Sequence, residues 1–411
     1  MYGLPYRGFE SLPLRSNERG SKPPARRGVF GASRIDEDLD PLLASQSNRR
    51  CLAPTARKGR VVKSLGLGII GLHHQHPRWY HPLWNQLPQY EPRAVAEPDA
   101  EFLAQENTFF QLDAYTDYRE LLARRDIDVV ILWLPHSRMP QAVADAAAAG
   151  KHVIVEKPCA ATLAGAEQIL STALRYPHVK ISAPYCWRTH AATAKIRSIL
   201  DQGLLGRVTA MEGRLNAGGA HRYLRDKSPW MLHAAEGGGP MWNLGVHWID
   251  YFRWMTGREI VDVRGAASGP FGPPSRDIED TAQAVLTFDD GAVGLLDISY
   301  SLCDSYPGKR DIYVAFRGTL GSLSWSPAWQ GNLDEVLLVS EHPAVGDNRC
   351  QRLTIASRDI PGYCGEMAWN WLSDFASAIR ENRSPQVTVE DMVASVRVAD
   401  AFYRSLSRHA R

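Results

Sequence analysis

No stretch of this chain is apolar for the ~20 residues that a bilayer-crossing helix needs, so no membrane span is expected. Charge of one sign is equally scarce. Lys and Arg number 47 and Asp and Glu 45, a formal net charge of +2. No nucleic-acid partner is indicated, because that would call for a basic stripe. What basic clustering exists lies in residues 1–60. Paired cysteines are missing as well. Cys51, Cys159, Cys186, Cys303, Cys350 and Cys364 show no CxxC or CxC spacing, so neither a zinc knuckle nor a redox pair is expected. Scattered thiols fit a reducing compartment, and the expected location is cytoplasmic.

Residues 1–60 lack apolar periodicity and are rich in Arg, Pro, Ser and Gly, the composition of a disordered tail. Arg26-Arg27 and Arg49-Arg50 have the form of twin-arginine export signals, but no apolar region follows either pair. Gly8-Phe9-Glu10-Ser11 matches a translated GGTTCGAATCC-type arm of a transfer-RNA gene, and no methionine lies between Met1 and Met139. The extension 1–60 is therefore expected to be either disordered or absent from the natural product, with a GTG start near Val61 or Val62.

The remainder is ordinary globular material. Hydrophobic residues make up 44%, enough for a sizeable core, and at ~150 residues per domain this length suggests two or three domains. Val61–Ile70 is apolar with little alternation, as a strand buried on both faces should be. A helix through Trp79–Leu87 follows. Further strands are expected at Tyr90–Ala96, Val129–Leu134, His152–Val155 and Val179–Ala183. Helices fall at Tyr118–Ala123, Gln141–Ala149 and Leu163–Leu174. Alternation of this kind predicts a doubly wound parallel sheet over residues 61–184.

After Tyr185 the pattern changes. Helices are expected at Ala191–Gln202 and Asn243–Met255. Thr281–Phe288 and Ala292–Tyr300 alternate around Asp289-Asp290-Gly291, a hairpin signal. Asp311–Arg317 and Ser322–Trp325 flank Gly318-Thr319-Leu320-Gly321, and Glu335–Ser340 and Arg352–Ile355 add strands. Trp369–Arg380 and Glu390–Arg404 are amphipathic, with Thr388 as the cap of the second. The fold class is an α/β Rossmann domain plus an α+β domain, residues 185–411, with a large, mainly antiparallel open sheet.

The first strand ends in Gly71-Leu72-His73-His74-Gln75-His76. A strand, a glycine turn and a later acid, here Glu97, make a dinucleotide fingerprint. The glycines are incomplete, because GxGxxG has become GxHxxH. Gly71 still suits the tight turn, and a helix amino terminus still offers N–H groups to phosphate. An acid at Glu97 favours NAD over NADP by repelling a 2′-phosphate. The loop histidines lack nearby carboxylates and the i,i+4 spacing of helical zinc sites, so no metal is expected.

Two segments carry the chemistry. Gly150-Lys151-His152-Val153-Ile154-Val155-Glu156-Lys157-Pro158 puts a lysine at the end of a strand. Gly237-Gly238-Gly239-Pro240-Met241-Trp242-Asn243-Leu244-Gly245-Val246-His247 puts a histidine one helical turn after an amide. With the hairpins above, GKHVxxEKP and GGGxxxxxGxH resemble the glucose–fructose oxidoreductase/inositol 2-dehydrogenase (Gfo/Idh/MocA) family from about Val61 to Leu406. The resemblance implies hydride transfer between NAD (or NADP) and a secondary hydroxyl or ketone of a sugar, polyol or related compound. Lys157, His247 and Asn243 are the implied catalytic residues. Cofactor contacts are expected from Gly71, Leu72, His73, His74, Glu97, Pro135, His136, Glu156 and Lys157. Substrate contacts are expected from Tyr185, Arg188, Tyr223, Trp230, Asn243 and His247, with His221 and Arg222 as further groups for an acidic or hydroxylated substrate. The open sheet implies a homodimer or homotetramer.

The chain departs from that family pattern in three places. The phosphate loop is GxHxxH; Pro135-His136-Ser137-Arg138-Met139 replaces the usual Pro-Asn-x-x-His; and Asn243 stands where an aspartate is common. An aspartate would raise the pKa of His247, whereas an amide orients the ring by a hydrogen bond without charge, which shifts proton transfer toward Lys157. Two other classes remain open: an NAD-retaining glycosidase or lyase using transient oxidation, and a non-catalytic binding or regulatory protein. N-terminal sequencing of the native protein is expected to start near Val61 or Val62; a peptide from residues 1–50 would refute the late start.

Overall fold

A computed structural model describes residues 63–328 and 331–409, with side chains to residue 406. The readings of residues 1–60 lie outside the described residues. The first half runs β1 (Leu65–Ile70), α1 (His76–Trp84), β2 (Tyr90–Ala96), α2 (Ala100–Phe110), β3 (Asp113–Tyr115), α3 (Tyr118–Leu122), β4 (Val129–Leu132), α4 (Met139–Ala148), β5 (His152–Val155), α5 (Leu163–Arg175) and β6 (Ile181–Ser182). These strands form one sheet in the order β3-β2-β1-β4-β5-β6, and every pairing is parallel. Strand order reverses between β1 and β4. In a doubly wound sheet, a ligand crevice opens at such a point, beyond the carboxyl ends of the strands.

The expected parallel sheet is thus present, with local shifts that have causes. α1 begins at His76 rather than Trp79, because Pro77 occupies its first turn, where a missing N–H costs nothing. α2 was not anticipated. Asp99 starts it by accepting a hydrogen bond from Phe102 N at 3.0 Å. β3 has three residues, too short for periodicity to reveal, and the strand expected at Val179–Ala183 is present as the two-residue β6.

The second half runs α6 (Ala191–Asp201), β7 (Val208–Gly218), α7 (Arg222–Arg225), α8 (Val246–Thr256), β8 (Ile260–Ser268), β9 (Thr281–Phe288), β10 (Val293–Leu302), β11 (Arg310–Gly318), β12 (Gly321–Trp325), β13 (Leu333–Ser340), β14 (Cys350–Ala356), α9 (Gly365–Arg380) and α10 (Val389–His409). Its eight-stranded sheet has the order β14-β13-β12-β11-β7-β10-β9-β8. All neighbours are antiparallel except β7 and β10. Both expected hairpins form, β9–β10 and β11–β12. β7 and β8 escaped the sequence reading; β8 is a largely exposed edge carrying Asp262 and Arg264, charges that discourage further pairing.

One face of this sheet is covered by α8, whose Trp248 and Phe252 are fully buried. The other leaves Val285, Val293 and Leu295 exposed. α9 and α10 return to the parallel sheet: Tyr90 Oη donates to Leu372 O at 2.7 Å, and Ser182 Oγ to Val387 O at 2.9 Å. Thr388 and Asp391 cap α10 reciprocally, each accepting from the other's backbone N–H. Among the described residues, no helix is long and apolar enough to cross a membrane.

Arg188, expected to touch substrate, is instead a buried tie. Its guanidinium donates to Asp250 at 2.5 and 2.8 Å, to Asp391 at 3.1 Å and to Gln386 O at 2.9 Å. It joins the Cys186–Thr189 turn to α8 and α10. Arg188→Met would leave Asp250 buried without its cation and is expected to cost about 3–5 kcal/mol in urea unfolding. A loss below about 1 kcal/mol, the scale of an exposed pair, would refute this role.

Candidate active site

The carboxyl ends of β1, β2 and β4 open into a trough. One cavity of about 480 Å³ is lined by Ala96, Glu97, Thr116, Tyr118, Leu134 and Arg138. A second, of about 260 Å³, is lined by Gly71, His73, Glu97, Pro135, Arg138 and Trp230. They share Glu97, Pro98, Leu134 and Arg138, so they form one channel. Gly71 turns the chain here with φ +88°, and a side chain at this position would collide with the Trp133 backbone at 2.8 Å. Glu97 is buried at the end of β2 and accepts from Leu72 N at 2.8 Å and Asp99 N at 3.3 Å. A second lone pair remains on each carboxylate oxygen for a ligand hydroxyl.

The loop histidines replace missing glycines with specific contacts. His73 stacks on Phe102, and its carbonyl accepts from Trp230 Nε1 at 2.7 Å. His74 Nδ1 accepts from His76 N at 3.0 Å. Burial, with His76 adding to it, holds His74 well below the usual histidine range. The ring is therefore neutral, its proton is on Nε2, and that buried N–H has no partner. His136 faces the Gly237 carbonyl through Nδ1 at 3.3 Å, and burial lowers its pKa to about 4. Its Nε2 is thus a bare acceptor, also without a partner.

Deeper in lies a narrow cavity of about 40 Å³, lined by His74, His76, Glu156, Lys157, Asn243 and His247 among others. It has room for a few waters, so a ring-sized ligand enters only by displacing side chains. Lys157 Nζ donates to Asn243 O at 2.8 Å and to Asn243 Oδ1 at 2.7 Å, with the Glu156 carboxylate 3.9 Å away. Asn243 lies in a π-helical turn, Met241–Gly245, where Val246 N reaches back to Met241 O. The lysine thus bonds a carbonyl of this wide turn, and π-turns are frequent at functional sites. An ammonium has three donors, and the two bonds to Asn243 leave one for a ligand. Burial holds Lys157 below the ordinary lysine value, partly offset by Glu156. Burial opposes ionisation of Glu156, but His76, bonded at 2.9 Å, and Lys157 outweigh it and keep it anionic.

The expected hydrogen bond between Asn243 and His247 does not form. Asn243 Nδ2 goes to Tyr223 Oη at 2.5 Å, and His247 Nδ1 is buried without a partner. The π-turn breaks the 3.6-residue register on which the i,i+4 argument rested. Burial and the Lys157 charge hold His247 well below the usual histidine range. Tyr223 is buried behind Asn243 and is absent from the cavity lining, and Tyr185 packs edge-on to His247 at 6.0 Å. Trp230 covers the loop side of the trough, not the inner cavity. Trp242 stacks on Tyr403, and Trp248 is fully buried, so both are core.

Several lining residues came from places that sequence reasoning passed over. The turn after β14 brings Tyr363 and Cys364 into the cavity, with Tyr363 4.4 Å from the His76 ring and its N–H on Trp79 O at 2.9 Å. Gly362 permits this approach: its φ is +114°, and a Cβ would meet Leu83 at 2.6 Å. Pro361-Gly362 was the only local signal. Arg222, named above as a group for an acidic or hydroxylated substrate, does line the cavity, as does Arg310.

This arrangement defines a class of protein: a doubly wound sheet with a dinucleotide-sized trough that ends at a buried lysine and histidine. The residues fit NAD. The trough suits an adenosine, and the unmet His74 donor and His136 acceptor are what a carboxamide satisfies. The family model described as "Oxidoreductase family, NAD-binding Rossmann fold" matches residues 65–182, and that described as "GFO/IDH/MocA C-terminal domain" matches residues 193–324. The chain belongs to the Gfo/Idh/MocA family of NAD-binding oxidoreductases. It is 27% identical over 355 residues to scyllo-inositol 2-dehydrogenase (NAD(+)) of Bacillus subtilis, covering 83% of this chain and 92% of that one. It is 26% identical over 301 residues to the rhizopine catabolism protein MocA of Rhizobium meliloti, covering 72% and 81%. A solved levoglucosan dehydrogenase in complex with NADH and levoglucosan shares the fold, with a TM-score of 0.71 at 21% identity over 84% of this chain and 98% of that one.

Asn243→Asp would place a carboxylate on the Lys157 ammonium. The pH at which Lys157 loses its proton is expected to rise by about one to three pH units, read from its NMR titration. An unchanged titration would mean that residue 243 does not hold the lysine in solution.

Proposed function

We propose that this protein oxidises a secondary hydroxyl of a sugar or polyol with NAD, or runs the reverse reduction. The observation that carries the reading is the Lys157 ammonium, pinned by both oxygens of Asn243 at the inner end of the trough, with one donor left for a substrate oxygen. NAD, when bound, accepts the hydride. Lys157 holds the hydroxyl oxygen and, in its neutral form, takes the proton. Burial assists by lowering the pH at which that form appears. His247 is neutral and serves as a weak acceptor beside it, so the lysine carries most of the proton transfer. The sugar and polyol substrates named for the related dehydrogenases support the substrate class. Glu97 supports NAD over NADP.

The same reading divides the chain near residues 184 and 185, the first part holding the cofactor and the second the substrate. Pairing of two copies through the outer face of the large sheet accounts for exposed Val285, Val293 and Leu295. Free cysteines, including buried Cys159 and Cys186, suit the cytoplasm.

Lys157→Ala is expected to lower turnover about 10²- to 10⁴-fold, followed by the absorbance of reduced nicotinamide, while calorimetry shows NAD affinity retained. Full activity in that variant would remove the lysine from the mechanism. Product without net NADH would favour a lyase or glycosidase that recycles its cofactor.

A further inference from the structure

The inner cavity carries more positive charge than the proposed proton transfer uses. Its one carboxylate, Glu156, is hydrogen-bonded to His76 at 2.9 Å and lies 3.9 Å from Lys157. Arg222 and Arg310 line the same space. Arg222 is 7% exposed. Its hydrogen bonds go to neutral partners, the Gly218 carbonyl and Tyr223 Oη, and its guanidinium lies 4.7 Å from the Tyr223 ring centre and 4.8 Å from that of Tyr300. Among the described residues, no carboxylate comes within ion-pair distance of Arg222. Burial and the neighbouring Arg222 charge hold Arg310 below the ordinary guanidinium value.

A guanidinium taken out of water without a counter-ion is costly unless a ligand supplies one. Arginine is also the side chain that matches a planar carboxylate with a two-pronged set of donors. Three hydrogen bonds in series, Lys157–Asn243–Tyr223–Arg222, connect the proposed hydroxyl-binding amine to the guanidinium. Amine and guanidinium therefore face one cavity, joined through Asn243 and Tyr223. We propose that the substrate is a sugar acid, such as a uronate, whose carboxylate is held by Arg222 and Arg310 while a ring hydroxyl meets Lys157. The proposal rests on the dehydrogenase reading and narrows its substrate class. A carboxylate suits the small cavity better than a phosphate, which is bulkier and carries more charge.

The test uses the full chain with NAD and a panel of glucuronate, galacturonate and gluconate against glucose, galactose and myo-inositol, with glucose 6-phosphate as the phosphate arm. Binding to the NADH-loaded protein is measured by calorimetry alongside turnover. Acids are expected to bind and react at least about tenfold better than the neutral sugars. Arg222→Met and, separately, the more exposed Arg310→Gln should raise the KM for the acid about ten- to a hundredfold and erase its advantage over the neutral sugar. Neutral sugars used as well as acids, glucose 6-phosphate preferred over the acids, or a preference that survives both substitutions would each overturn the proposal. Sugar-acid binding that depends on the arginines, without NADH formation, would uphold the anion site and count against the dehydrogenase reading instead.

Discussion

A buried ammonium has to be solvated by something, and here one residue does it. Asn243 offers Lys157 both its carbonyl and its side-chain oxygen. Both oxygens belong to a residue of the π-turn Met241–Gly245. The remaining end of the amide is held by Tyr223, which in turn accepts from Arg222. Position, protonation and access of the amine all depend on this sequence of contacts.

The two sheets meet around that interaction. Lys157 follows β5 of the parallel sheet, whereas Asn243 precedes α8, which covers the antiparallel sheet. Hydrogen bonding between them couples the parallel sheet to the antiparallel one. The turn after β14 closes the cavity by reaching α1, where Tyr363 packs on His76 and Gly362 on Leu83. Arg188 performs a comparable service farther out, tying the Cys186–Thr189 turn to two helices through a buried double ion pair. A polar residue expected at the substrate thus serves the scaffold, and Tyr363 and Cys364, unread in the sequence, line the inner cavity.

Loss of two glycines from the phosphate loop did not remove the turn. Gly71 alone supplies the left-handed conformation that the strand end demands. The histidines that replace the glycines are fixed by contacts a glycine would lack: His73 on Phe102 and His76 on Glu156. His74 between them accepts from the His76 amide, and its Nε2, like Nε2 of His136 after β4, is left without a partner.

By itself the amino-acid sequence determined the features that periodicity and local turn chemistry encode. The buried strands of the first half, the hairpins at Asp289-Asp290-Gly291 and Gly318–Gly321, the cap at Thr388 and the lysine–histidine segments were all legible there. The short strand β3 was not, since three residues show no period. Tertiary structure alone decided who touches whom within the cavity. The i,i+4 reading paired Asn243 with His247, but a π-turn redirected the amide to Lys157, eighty-six positions away. Tyr363 and Cys364 reach the same space from the turn after β14, and no local pattern encodes a contact made by chain folding over such separations.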